Sequence, residues 1–429
     1  VSTRRRAFVL GSGIAGLSLG EILSRNGYQV TLVESATTLG GDASRCTQNW
    51  LHTGWLYSVL PNEAAMLDCH RALRSFRRLY DPVLPPEVLN LDVGDDSIAY
   101  PESAWGWFAP ERVLYLYALA TSELTFVERK LWRRRLDTVA FPRLRALGYD
   151  TAPLRTLPPR LVELLDRWEG GARGHERYAV VRSTDAQINT RRVLDTLLSL
   201  LGADAEVVRG ADCALESRAG RTLVRVNGDT HAPDLVVIAS GKNTPLQLQQ
   251  LGMSALARRF KSISSPIVVL NRALDLPNFI RFTPRLPKTI NHIKYEVRGV
   301  GARSTVGSYE YYPSHELPDI SPFAHRVCQR LGISTADVAS VYYGTKTELT
   351  GAAERRYNHA LERVNENTYF AIAGKFSQFP LLVRELAALA GLRTDIGNSE
   401  RGTLDAEVDP TLPERNWESA QRKIRAGGV

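Results

Sequence analysis

A chain of 429 residues, 44% hydrophobic and 23% charged, has the length and balance of a globular protein of two or three domains and excludes a disordered one. The net charge of +8 and pI near 9.3 would suit nucleic acid, but the basic residues are spread along the chain and no nucleic-acid motif accompanies them. The four cysteines, Cys46, Cys69, Cys213 and Cys328, are far apart with no Cys-x-x-Cys pair; this argues against a metal site or a disulfide framework and favours a reducing cytoplasm.

The N-terminal "TRRRAFVLGSGIAGLSLG" has the basic start and apolar run of a signal peptide. Its glycine spacing fits a different structure. "AFVLGSGIAGLSLGEILSRNGYQVTLVES" reads as a β-α-β unit: a strand from Ala7 to Leu10, a helix from Ile14 to Arg25 with Leu17, Ile22 and Leu23 inward, an Asn26-Gly27 turn, and a strand from Val30 to Val33. Gly11, Gly13 and Gly16 form G-x-G-x-x-G. Gly11 permits the turn, Gly13 admits a pyrophosphate to the backbone, and Gly16 lets helix and strand approach. The helix start at Ile14 and Ala15 offers free N–H groups and a positive dipole end to phosphate. Glu34, at the second strand's end, is placed to accept ribose hydroxyls and disfavours a 2′-phosphate. No apolar run approaches the length of a membrane-spanning helix.

The next stretch, "ASRCTQNWLHTGWLY" (Ala43 to Tyr57), is polar and then aromatic, with His52 in its middle. "RKLWRRRLD" (Arg129 to Asp137) reads as an amphipathic helix with a solvated basic face, within a mostly helical stretch from Ala118 to Gly174 that matches no known pattern. "DAQINTRRVLDTLLSLLGADAEVV" (Asp185 to Val208) reads as a short loop, a helix with Val193, Leu194, Leu197, Leu198 and Leu201 inward, and a strand. "DLVVIASGKNTPL" (Asp234 to Leu246) is a buried strand ending in Ala239, Ser240 and Gly241, small enough for a ligand to approach the backbone. "STVGSYEYYPS" (Ser304 to Ser314) alternates as a strand does and places Tyr309 and Tyr311 on one face. In "NTYFAIAGKFSQFPLLVRELAALAGL" (Asn367 to Leu392) a strand from Tyr369 to Ala373 runs into Gly374-Lys375-Phe376. A helix follows near Pro380, with Leu381, Leu382, Leu386 and Leu389 buried.

These segments, in this order, resemble the D-amino-acid-oxidase-type FAD-dependent oxidoreductases, the family of glycine oxidase, sarcosine oxidase, glycerol-3-phosphate dehydrogenase and L-2-hydroxyglutarate dehydrogenase. The likeness is carried by Arg6 to Tyr57, Asp185 to Leu246 and Asn367 to Leu392. It implies an α/β fold: a Rossmann-like, glutathione-reductase-type FAD domain with an α+β substrate domain on a mixed or antiparallel sheet inserted into it. The FAD domain would comprise residues 1–80, 181–250 and 340–395, the substrate domain 81–180 and 251–339, and a tail 396–429. Non-covalent FAD is expected over a covalent link through His52 or Cys46. The resemblance implies contacts to FAD from Gly11, Gly13, Ile14, Ala15, Gly16, Glu34, Ser44, Arg45, Thr47, His52, Gly241, Gly374, Lys375 and Phe376.

Thr47, His52, Gly54 and Tyr57 match a Ser/Thr-x-x-x-x-His-x-Gly-x-x-Tyr run of the glycerol-3-phosphate and 2-hydroxyglutarate branches. Trp50 and Trp55 are bulkier than that run leads one to expect, which bears on substrate size and leaves room for a specialised biosynthetic reaction. Alcohol oxidation needs a base beside the flavin, and His52 suits that role. Lys375 and the helix end near it would stabilise the reduced ring. Arg281, Lys294, Arg298, Arg303 and Lys346 are candidates for an anionic substrate group, Lys346 the best of them, and Tyr309 could hydrogen-bond the substrate. The expected activity is hydride removal from a small hydroxylated, anionic metabolite. Amine oxidation to an imine is the alternative, and a non-catalytic flavoprotein-like binding module is a third. No Gly-Asp ribose motif of aromatic hydroxylases is present. The one candidate second fingerprint, "GVGARS" (Gly299 to Ser304), lacks its third glycine. Oxygen, a quinone or a protein carrier therefore remain as electron acceptors, and the oligomeric state stays open.

Overall fold

Strand Arg6–Leu10 lies at the centre of a six-stranded sheet, paired in parallel with Gln29–Val33 on one side and Leu235–Ile238 on the other. The structure is a computed structural model and describes residues 4–44, 46–61, 63–94, 97–285, 288–297, 301–350 and 358–396. Glu206–Val208 extends the sheet beyond Gln29–Val33. Thr368–Ile372 and then the antiparallel Ala360–Asn365 extend it beyond Leu235–Ile238. The inner strands are mostly apolar because both faces are covered, as parallel sheets require; the polar exceptions are Arg6 and Gln29 at the exposed strand starts and the buried Thr31 and Thr368. Helix Ile14–Arg25 packs against helix Phe379–Ala390, which also contacts helix Ala64–Tyr80.

Parallel strands end on the same side. Gly11, Glu34, Ala239-Ser240-Gly241 and Gly374-Lys375, hundreds of residues apart in sequence, therefore converge on one edge. The strand order also reverses direction at Arg6–Leu10, the crevice where open α/β sheets bind ligands.

A nine-stranded mixed sheet stands beside it. Its long strands are Phe108–Ala118, Tyr178–Ile188, Phe260–Leu270 and Val338–Leu349. Two assignments differ from the sequence reading. Asp185 to Asn189 is no loop leading into a helix: Asp185 lies inside the strand Tyr178–Ile188, and Asn189 caps the helix Thr190–Ser199 by accepting the Arg192 N–H. The strand expected over Ser304 to Ser314 is Gly301–Ser308, with Tyr312–Pro313 paired separately. Tyr309 and Tyr311 lie between them, their rings edge to face at 5.7 Å.

Leu389, expected in the core, is exposed; Leu381, Leu382 and Leu386 are buried on the other face of that helix. The stretch 340–349 is hydrogen-bonded along Phe260–Leu270 in the larger sheet, although its sequence neighbours return to the smaller one. Arg298, Gly299 and the tail from residue 397 lie outside the described residues.

Candidate active site

The three glycines of the first turn meet three different surroundings. At Gly11, φ is +102° and a Cβ would stand 2.6 Å from the Ala239 carbonyl oxygen. At Gly16 a Cβ would collide with the Gly11 carbonyl oxygen, so glycine is required for the helix to leave the strand at this angle. At Gly13 a Cβ would meet only the Ser44 hydroxyl, at 3.0 Å. The first two are demanded by packing; the third keeps open a face that the fold itself does not fill. Gly241, at φ +54°, likewise has nothing within 4 Å of its Cβ position.

The polar groups around this opening are already oriented. Ser44 Oγ accepts the Ile14 N–H at 2.8 Å, and Ala15 is buried beside it in the first helical turn. Glu34 Oε2 accepts from Ser12 N–H (3.0 Å) and Ser12 O–H (2.6 Å), and its Oε1 accepts from Ala36 N–H (2.9 Å). The carboxylate is thus held at the strand end with acceptor capacity left for ribose hydroxyls. An open glycine face, a helix N-terminus and a fixed acid fit an ADP-containing dinucleotide. Thr47 Oγ1 accepts the Asn49 N–H at 3.2 Å and shapes the turn into the aromatic loop. Arg45 lies outside the described residues.

The C-terminal segment closes on the same loop. Gly374 has φ +65°, and a Cβ there would be 2.5 Å from the Asn358 carbonyl group. Lys375 Nζ stands 5.5 Å from the Tyr57 ring centre, and Ser377 O–H donates to the His52 carbonyl at 3.4 Å. Phe376 packs at 6.2 Å on Phe379, the first residue of the helix Phe379–Ala390. The positive end of that helix and the Lys375 ammonium therefore face the neighbourhood of His52.

His52 lies between Trp50 and Tyr57, with ring centres 4.7 and 5.7 Å away. Its Nδ1 is buried without a hydrogen bond and points toward Asp185 Oδ2 at 4.0 Å. Burial, and then the charges of Lys375 and Lys346, hold its pKa well below the ordinary imidazole value, so the ring is neutral at neutral pH.

Asp185 was not singled out in the sequence. Its carboxylate is fully buried and accepts four hydrogen bonds. Oδ1 takes Thr53 N–H (2.8 Å) and Thr53 O–H (2.6 Å); Oδ2 takes Trp50 Nε1–H (3.0 Å) and Tyr115 O–H (2.8 Å). Burial pushes its pKa up to about 6, against the pull of the Thr53, Tyr115 and Trp50 hydrogen bonds. The pairing of Phe108–Ala118 with Tyr178–Ile188 slips between Arg112 and Leu114, next to Asp185. A bulge of this kind re-aims side chains. The two tryptophans also acquire a structural role. Trp50 braces Asp185, and Trp55 Nε1–H donates to Thr184 Oγ1 at 2.9 Å.

The proposed anion-binding cations are mostly matched within the fold. Arg281 is buried and donates to Glu123 at 2.6 Å; Lys294 pairs with Glu111 at 2.8 Å; Lys346 pairs with the buried Glu348 at 2.7 Å. Arg303 is different: its buried Nε has no hydrogen-bond partner. It lies four residues before Gly307 on the same strand, and so on the face where Gly307 abuts Gln48. Tyr309 stacks obliquely on Phe282 at 6.4 Å, near Tyr115 rather than on His52. Among the described residues no group of three His, Cys, Asp or Glu side chains is placed to hold a metal, and no helix is long and apolar enough to cross a membrane.

No curated protein matches the chain. Among solved structures, glycine oxidase from Geobacillus kaustophilus superposes with a TM-score of 0.65 at 15% identity, over 90% of this chain and 95% of that one. L-alpha-glycerophosphate oxidase from Mycoplasma pneumoniae, with FAD bound, gives 0.62 at 13% identity over 96% and 98%. L-amino acid deaminase from Proteus vulgaris gives 0.59 at 14% identity over 92% and 91%. At these identities the likeness shows the fold. The sequence itself matches the family described as FAD dependent oxidoreductase (DAO) over residues 6–373, most of its length, and by that match this chain belongs to the DAO family of FAD-dependent oxidoreductases.

Proposed function

We propose that this oxidoreductase dehydrogenates a small hydroxylated substrate, with His52 as the base. FAD, when bound, supplies the acceptor for the hydride leaving the substrate carbon. The residues of the chain do the rest. Gly11, Gly13, Ile14, Ala15, Gly16, Ser44 and Glu34 would hold the pyrophosphate and ribose, and Gly241 leaves room above the neighbouring strand end. Gly374, Lys375, Phe376 and the following helix end would place positive charge beside the ring system, where negative charge develops. His52 would take the hydroxyl proton.

One observation carries this reading. His52 stands where the Lys375 segment meets the strand that carries Asp185: its carbonyl accepts from Ser377, its ring lies between Trp50 and Tyr57, and its buried Nδ1 has no hydrogen bond. Burial and two lysines keep it in the neutral form a base needs. An anionic substrate group would meet Arg303 rather than Arg281, Lys294 or Lys346, which are paired with carboxylates. The division into an FAD domain and a substrate domain follows sheet membership in this reading, with 340–349 belonging to the larger sheet.

A second reading keeps the site and changes the bond. A neutral amine can lose hydride without a strong base, so the same site could oxidise an amine with His52 only orienting it, and glycine oxidase is among the proteins of similar fold. Anaerobic mixing of the FAD-loaded protein with a panel of hydroxy acids, alcohols and amines separates the two. Bleaching of the flavin band by hydroxyl compounds, lost in His52→Gln, supports the first. Bleaching by amines alone overturns it.

A further inference from the structure

We propose that Asp185 is the positioning residue of His52: it selects the tautomer with hydrogen on Nδ1, leaves Nε2 free to accept the substrate proton, and balances the imidazolium that results. The inference rests on the reading of His52 as base and extends it to a residue on another strand.

Geometry supports this directly. Asp185 is fully buried, and its four hydrogen bonds all come from neutral donors. Among the described residues, His52 is the sole basic side chain within 4.0 Å of the carboxylate. A buried carboxylate with no cation at its side is costly, and a fold has little reason to keep one for stability alone. The nitrogen of His52 that faces it, Nδ1, is itself buried and unpartnered. An imidazole nitrogen without a partner thus faces, across 4.0 Å, a carboxylate whose charge has no cation beside it, and a closing movement of about 1 Å would bring them to hydrogen-bond distance.

The charge balance is consistent. In the step, the substrate O–H bond breaks, an Nε2–H bond forms, and the C–H hydrogen leaves with its electron pair to FAD. His52 gains one positive charge. Lys375 and Lys346 oppose that charge, and Asp185 favours it. The carboxylate is held in place by Thr53 and Trp50, which flank His52 in sequence, so base and counter-charge are fixed to the same loop. The other titratable groups that sense Asp185 are Cys69, Tyr100, Tyr115, Tyr117 and Tyr149. Burial raises the pKa of each, so all five are uncharged at neutral pH.

The test is 15N NMR of the FAD-loaded protein labelled at its eight histidines, with His52 assigned by the signals lost in His52→Gln. The expected result is Nδ1–H as the major His52 tautomer at neutral pH, and its loss as the major form in Asp185→Asn with flavin absorbance retained. An unchanged tautomer in the folded variant overturns the proposal. Should Asp185→Asn fail to fold, Trp50→Phe frees Oδ2 from its indole donor; the His52 titration midpoint should then rise, and a midpoint that stays or falls overturns the proposal equally. The two readings fail separately. If His52→Gln is still reduced by substrate at the wild-type rate, the base assignment is lost, whatever the tautomer does.

Discussion

The glycine turn at residues 11–16 and the aromatic loop at 47–57 are linked through Ser44, which precedes the loop and accepts the Ile14 N–H, yet they are built on different principles. The turn works through backbone. Its demands are steric, they are met within a few residues, and they can be stated atom by atom: no Cβ at 11 or 16, open space at 13. The loop works through side chains whose meaning comes from elsewhere. Trp50, His52 and Thr53 are arranged by a carboxylate more than a hundred residues away, on a strand that pairs with Trp50–Leu51. A local motif tolerates almost no substitution at its close contacts, whereas a distributed network can be dismantled one hydrogen bond at a time.

Gly16 is where the steric side of this contrast is most exposed. In Gly16→Val the side chain would occupy the position of the Gly11 carbonyl oxygen, and the helix would have to leave the sheet. A loss of at least about 3 kcal/mol is expected, the upper end for overpacking; thermal unfolding with FAD present measures it, and a wild-type Tm would refute the steric account. Next is His52→Gln, expected to lower kcat by about 10²–10⁴, the usual worth of a general base. The flavin spectrum should persist, since the loop's anchors, Trp50 and Thr53, remain.

Gly13→Ala separates two kinds of demand within the turn itself. Its added methyl meets only the Ser44 hydroxyl, so the apo protein should unfold within about 1 kcal/mol of wild type. FAD affinity should fall about tenfold or more, because the methyl occupies the face left for the pyrophosphate. Equal losses of apo stability in Gly13→Ala and Gly16→Val would erase the distinction between a glycine kept for packing and one kept for a ligand.

Asp185→Asn addresses the loop through pH. The folded-state pKa is raised to about 6 from an ordinary 3.8, so the wild type is favoured by protonation: that contribution is full below about pH 4 and is lost as pH rises through about 6. The loss amounts to at most about 3 kcal/mol. The variant has no such loss. It does leave Trp50 Nε1–H or Thr53 N–H without an acceptor, a constant cost of about 1–3 kcal/mol. The difference in Tm, variant minus wild type, should therefore climb between pH 4 and 7; a flat difference would show that Asp185 does not titrate there. The smallest effect is expected from Lys346→Met. Lys346 is the weakest of the three influences lowering the His52 pKa, so its removal should move the His52 titration midpoint upward by less than about one unit.

What could be read in advance follows the same division. The β-α-β unit was legible because its signals are contiguous: apolar strand, three glycines, amphipathic helix, acid. The strand ends at Gly241 and Gly374 were legible as local patterns of small residues before a helix. Asp185 was in plain view in "STDAQI", and its neighbours suggested a loop, because a polar run in a chain gives no hint that a bulged strand will bury it. The pairing of the candidate cations was hidden for a related reason. Arg281 looks available until Glu123, 158 residues away, is folded against it.

Sequence alone therefore determined the dinucleotide-binding unit and, together with the strand ends at Ala239-Ser240-Gly241 and Gly374-Lys375-Phe376, the family, since short-range sterics and helix-end electrostatics are carried by neighbouring residues. Tertiary structure decided which charges stay unpaired and which face His52. Those choices depend on strand register and burial, and in a folded chain both are set by partners that sequence proximity does not name.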